Sequence, residues 1–242
     1  MGLFDKKYCS ICGNQIKLLG NRKLEDGNCC KDCASKLSPF FSERRHSTVE
    51  SIKEQLAYRE ENKKEVENFH VTRTIGEGTK VLADEDQRKF IITSAAKNWR
   101  DENPDVIPFS YVTGCETKID ESRSEETTTD KDGKTVSYRP PRYNYSYDFK
   151  VTVFVNHPYF DEIQFKLNRS SVREQAVGTL VRHGSEYESY VQSLADVKAL
   201  FTGIREDSRA AAAPKVPVKC PSCGATTLPD EKGCCEYCGC KL

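Results

Sequence analysis

Histidine is scarce in this chain, with four among 242 residues, and His46, His70, His157 and His183 stand far apart. No His-Glu-x-x-His helix, no Gly-x-Ser-x-Gly elbow and no phosphate-cradling glycine loop occurs. That leaves out the metal-hydrolase, serine-hydrolase and nucleotide-binding designs which these motifs announce. Gly76-Glu-Gly78 is only two glycines in a turn. Isolated histidines of this kind read as surface or core residues. Cys115, inside an expected strand, reads as a buried apolar thiol and not as a nucleophile. Adjacent acids such as Asp161-Glu162 carry no signal alone. With no catalytic set, no enzymatic activity is expected, and no catalytic or organic-cofactor residue is assigned.

A surplus of charge is also lacking: 37 Lys and Arg balance 37 Asp and Glu. Nothing drives the whole chain toward nucleic acid or an anionic membrane, although a local patch remains open. The longest apolar run, Val151 to Val155, is broken by Thr152 and is far too short to span a bilayer. No signal peptide is visible, because Met1 is followed by Gly-Leu-Phe-Asp-Lys-Lys, so a cytoplasmic protein is expected. Lys6 stands where an N-myristoylation pattern after Met1-Gly2 wants Ser or Thr, so that modification is set aside. Apolar content is low, at 37%, which suits long polar loops and small modules that need little core.

Cysteine, by contrast, is abundant: twelve residues, eight of them in four Cys-x-x-Cys pairs. Two pairs lie near the front, Cys9 with Cys12 and Cys30 with Cys33, and two near the back, Cys220 with Cys223 and Cys235 with Cys238. A two-residue spacer lets one tight turn aim two sulfurs at one ion, and two such pairs complete a closed tetrahedral Zn²⁺ site. Two structural Zn²⁺ ions are therefore expected. With all four positions filled by sulfur, neither site keeps a place for water or substrate. Disulfides are the alternative reading, weighed against a reducing cytosol.

In the front module, Gly13 after Cys12 frees the backbone to curl around the sulfurs. Two short apolar stretches around Gly20-Asn21 signal a hairpin, Glu25-Asp26-Gly27 a turn, and Cys30 to Leu37 a helical turn ended before Pro39. Knuckle, hairpin and then a ligand-bearing helix is the order of a treble-clef finger. Cys29 is ambiguous beside Cys30; only Cys30 restores the spacer with Cys33, which leaves Cys29 a spare thiol. Cys-x-Ile-Cys-Gly, Leu18 to Gly27, and Cys30-Lys-Asp-Cys33-Ala-x-Lys-Leu37 resemble a bacterial domain of unknown function, number 4428. The resemblance implies a small zinc domain in a cytoplasmic bacterial or phage protein and brings no activity with it.

Ser47-Thr-Val-Glu50 reads as a capping box that opens a connecting helix, with Val49, Ile52, Leu56, Val66 and Phe69 along one face. Such a helix packs on that face, or serves a partner or dimer. Short strand signals follow from Val71, and 143–155 is the best strand in the chain. Residues 121–135, nearly all polar, read as a loop or an extended hairpin tip, and 171–182 as helix. Tyr187, Tyr190, Val191, Leu194, Val197 and Leu200 fall at helical spacing, with Gly203 as a stop. Strands in series closed by one amphipathic helix resemble a pleckstrin-homology-like barrel. Its first hairpin is too acidic here for a phosphoinositide.

The proline- and alanine-rich 209–218 reads as a linker. Beyond it, two glycine-followed knuckles, with Asp230 to Gly233 as the turn between, make a zinc ribbon in which Cys234 and Cys240 are supernumerary. The expected class is thus α+β multidomain: a treble-clef-like finger (1–45), a connecting helix (46–70), a pleckstrin-homology-like domain with a C-terminal helix (71–204), a linker (205–218) and a ribbon (219–242). The function this suggests is a non-enzymatic interaction or scaffold protein that binds a protein partner, with a membrane not expected. Nucleic-acid binding through Lys17, Arg22, Lys23, Lys31, Lys36, Arg44 and Arg45 is the alternative. Glu25, Asp26, Asp32 and Glu43 interrupt that patch.

Overall fold

The computed structural model describes residues 6–95, 97–178, 180–212, 217–230 and 233–242. The Met1-Gly2 start, part of the expected linker and part of the expected ribbon turn lie outside them. The chain forms two compact units, Met1–Arg205 and Glu206–Leu242.

The first unit opens with a minimal hairpin, β1 (Arg22–Lys23) against β2 (Asn28–Cys29), followed by the one-turn helix α1 (Lys31–Ala34). The hairpin does not turn at Gly20-Asn21. Gly20 instead closes a separate turn on Lys17, and the strands reverse through Glu25-Asp26-Gly27, where the Leu24 N–H donates to the Gly27 carbonyl at 2.9 Å. Gly27 is required at that turn: a Cβ would come within 2.7 Å of both Ser10 Oγ and Val49 Cγ2. Asp26 accepts the Val49 N–H at 2.7 Å, pinning the turn to the start of helix α2 (Val49–Asn68).

That helix is capped by Thr48, whose hydroxyl accepts the Ser51 N–H at 3.2 Å. The Ser47–Glu50 capping box does not form, because the Ser47 hydroxyl donates to the Glu43 carbonyl. Its buried face runs Ile52, Gln55, Arg59, Asn62 and Val66, an ideal three-four spacing that is polar through its middle.

Two antiparallel sheets follow. β3 (Arg73–Ile75), β4 (Lys80–Asp84), β5 (Lys89–Thr93) and β6 (Ile107–Pro108) lie in that order in one. The other is built on β8 (Thr135–His157). β7 (Val112–Thr129) pairs along one edge, and β9 (Phe160–Lys166) and β10 (Val172–Val177) share the other. Residues 121–135 are therefore the end of a long hairpin. Asp130 closes its tip by accepting the N–H groups of Asp132 and Lys134 at 2.9 and 2.8 Å. The stretch expected as helix over 171–182 contains β10 instead: Val172 and Ala176 face inward on a strand period, and Glu174 accepts the Gly184 N–H.

Helix α3 (Ser185–Ala212) packs on the sheets as expected, burying Leu194, Val197, Leu200, Phe201 and Ile204 among Phe90, Phe149, Val151, Ile163 and Leu167. Phe201 meets Phe90 edge-on at 5.0 Å. The helix runs through Gly203, so what was expected as a linker from residue 205 begins helical. No ladder joins the two sheets among the described residues, so the closed barrel is corrected to two open sheets sharing one core. The second unit holds the two-residue pair β11 (Val218–Lys219) and β12 (Thr226–Thr227).

Candidate metal centres

Each centre starts from the same local device. In the front knuckle the Gly13 N–H donates back to the Cys9 carbonyl at 2.8 Å, with Gly13 at φ +75°, a conformation that costs glycine nothing. Gly224 and Gly239 repeat this with Cys220 and Cys235 at 2.9 and 2.8 Å. At Cys30 no glycine follows, because α1 takes over: the Cys30 sulfur caps the helix by accepting the Cys33 N–H at 3.3 Å.

These turns gather the sulfurs of Cys9, Cys12, Cys30 and Cys33 in one group and those of Cys220, Cys223, Cys235 and Cys238 in another, all within 4.8 Å of one another in each. Cys9 and Cys33 stand 3.9 Å apart and Cys12 and Cys30 3.8 Å; in the second group the distances are 3.5 Å for Cys220–Cys238 and 3.6 Å for Cys223–Cys235. A tetrahedron with Zn–S bonds of ~2.3 Å has edges of about 3.8 Å. A disulfide needs ~2.05 Å, so the disulfide alternative does not describe these pairs. The two four-sulfur groups are those expected and are compatible with two structural zinc ions.

The electrostatics of the thiols point the same way. Burial works against ionising Cys9, yet N–H groups of the Cys12, Cys30 and Ile11 backbone hold it down at about 6. The Cys223 backbone does the same for Cys220, again to about 6, against its desolvation. Burial, then the hydrogen bond with Cys30, pushes Cys33 up. Cys238 is drawn down by the Cys240 backbone but pushed up further by Cys220 and Cys223. A metal ligand must be a thiolate, so a divalent cation bound here would displace the protons that burial keeps on Cys33 and that Cys220 and Cys223 keep on Cys238.

The spare cysteines stay outside both groups. Cys29 is fully buried, with its thiol pushed up to about 12 by that burial and then by Cys9 and Cys30. Cys115, half-buried, is pushed up to about 11 by desolvation. Cys234 and Cys240 join neither set. Of the histidines, His46 and His70 are exposed, and His183 pairs with Glu174 at 2.8 Å. His157 is buried. Its Nδ1 accepts the Tyr159 N–H, leaving Nε2 to donate to the Tyr58 hydroxyl at 2.9 Å.

A polar cluster that apolar periodicity passed over links the front module to the first sheet. Arg59, on α2, pairs with the fully buried Asp105 at 2.6 Å and also donates to the Asn103 carbonyl. Ser38, just after the front module, donates to the same carboxylate at 2.7 Å. Asn62 donates to the Pro104 carbonyl at 2.8 Å and accepts the Val106 N–H at 3.0 Å. Burial pushes the Asp105 carboxyl up, while Arg59 and Ser38 pull against it. The available signal was the three-four spacing of Gln55, Arg59 and Asn62, which continues the buried stripe with polar side chains.

Among the described residues no helix is long and apolar enough to cross a membrane. No curated protein and no solved structure matches the chain. Residues 7–55, the whole front metal centre with the first turns of α2, match the model of a family described as a domain of unknown function, DUF4428.

Proposed function

We propose that this is a cytoplasmic, non-enzymatic zinc protein that grips a protein partner. In this reading the ends are a treble-clef-like finger and a zinc ribbon, and the middle is a pleckstrin-homology-like domain, supported by its order of strands and terminal helix. The observation that carries the reading is the outer edge of β7. Over 18 residues, Val112–Thr129, this strand pairs only with β8, and no described strand covers its other side. A long free edge is a template for an added strand. Lys118, Asp120, Glu121, Arg123, Glu125 and Glu126 place charges along it, which discourages pairing between copies while leaving a complementary strand acceptable.

Affinity purification of the zinc-loaded protein from its source organism should recover one protein in stoichiometric amount. Binding of that protein should slow exchange of the β7 amides that face away from β8. Recovery of no such protein, or protection elsewhere with these amides unchanged, overturns the reading. The second reading, nucleic-acid binding, is favoured by Lys17, Arg22 and Lys31 lining one cleft of the front module. It predicts retardation of DNA or RNA at low salt that weakens steeply as salt rises; the protein-partner reading predicts none.

A further inference from the structure

The front module carries a feature that neither its metal centre nor its packing uses. Lys17 to Gly20 form a turn closed by the Gly20 N–H on the Lys17 carbonyl at 2.9 Å, and its two central residues are leucines. Leu18 is 93% exposed and Leu19 90%. Leu19 also sits at φ +64°, a position where glycine or asparagine lies easily and leucine is strained. Single exposed leucines are ordinary. Two together at a turn apex, one of them strained, form a knob held out into water, while Ile16, Leu24 and Leu37 of the same module are buried.

The surroundings of the knob are basic. Leu18 and Leu19 share a cleft of about 440 Å³ with Lys17, Arg22 and Lys31, against the single carboxylate of Asp32. Arg22 is held there by donating to the Leu19 carbonyl at 3.2 Å. Asp26, which interrupts the patch in sequence, is engaged at the start of α2. The chain's zero net charge therefore conceals a local arrangement of apolar tip and cationic collar.

We propose that this knob docks the protein reversibly on an anionic lipid surface, with Leu18 and Leu19 entering the acyl boundary and Lys17, Arg22 and Lys31 meeting the headgroup phosphates. Charge complementarity selects an anionic occupant. The leucines select lipid over nucleic acid, whose phosphates call for no apolar insertion. A bilayer interface accepts a convex knob without a shaped pocket, as a protein partner would not. Two leucines and three cations are too few for permanent anchoring, so attachment is salt-sensitive.

The test uses the full zinc-loaded chain with phosphatidylcholine vesicles, with and without phosphatidylglycerol. The protein should sediment with the anionic vesicles only and be released by salt. Leu18→Ser and Leu19→Ser should each weaken binding about tenfold or more, and Lys17→Gln about fivefold, with both zinc ions retained. Should a serine variant lose zinc, Leu19→Trp in a Trp99→Phe background gives the independent reading, since its fluorescence then comes from residue 19 and should be quenched by brominated acyl chains. No sedimentation with either vesicle overturns the proposal, as does undiminished binding by zinc-loaded serine variants. Retention of short DNA or RNA without vesicle binding overturns it in favour of a phosphate site for nucleic acid.

Discussion

The two four-cysteine centres share one sulfur geometry and rest on very different foundations. Around the front centre, Ile16, Leu24, Cys29, Leu37 and Ile52 form a buried cluster, with Ile11, Val49 and Leu56 packed against it. In the second unit the described buried residues are Cys220, Cys235 and Thr227, while Leu228 and Tyr237 are 45% and 73% exposed. At the front, the ion completes a small core that α2 extends into the first sheet. At the back, among the described residues, the four-sulfur group is nearly the whole core. A segment so short folds only through metal binding, on the order of 10 kcal/mol for a structural site.

Removing the metal should separate the two regions most sharply. After chelation the second unit should unfold outright, and the amides of Gly224 and Gly239, bonded to Cys220 and Cys235, should exchange at free-chain rates. Helix α2, anchored by Ile52, Arg59, Asn62 and Val66, should keep its protection. Equal loss in both regions would erase the distinction drawn here.

The anchor of the front region can be broken while the second four-cysteine group keeps its metal. Asp105→Ala leaves Arg59 buried without its carboxylate and should cost about 3–5 kcal/mol in denaturant unfolding of the first unit. The opposite sign is expected one turn away. Gln55 is buried with neither amide atom hydrogen-bonded, so Gln55→Met should stabilise by about 1–2 kcal/mol.

A further effect shows only in acid, in the response of His157, which meets Tyr58 of α2. Burial lowers this ring to about 4. The unfolded value is about 6.5. A folded value below the unfolded one contributes stability that is complete above the unfolded value and lost as pH falls towards the folded one. Between those values the native protein should therefore weaken more steeply than a His157→Phe variant. Parallel acid limbs would show that the ring titrates freely.

The metal centres were legible because Cys-x-x-Cys spacing is a covalent constraint: eight sulfurs expected together are found together. Helix α3 was legible as well, since Leu194, Val197, Leu200 and Phe201 keep helical period over a long stretch. Residues 172–177 were misread because Val-Arg-Glu-Gln-Ala-Val is too short and polar to show its period, and its strand state comes from pairing with β8. Glu25-Asp26-Gly27 was legible as a turn, but not as the reversal of the hairpin, because the close approach of Ser10 and Val49 to Gly27 is a tertiary contact that local signals around Gly20 could not reveal. The Arg59–Asp105 anchor lay hidden for a related reason: a buried polar pair joins residues 46 positions apart and interrupts the apolar stripe that marks a helix face.

Metal content tests the account most directly. Elemental analysis of protein purified without chelator should find two zinc ions per chain, falling to one in Cys12→Ser and to one in Cys223→Ser. A zinc-free protein whose end segments remain folded, or cysteines joined in disulfides, would contradict it.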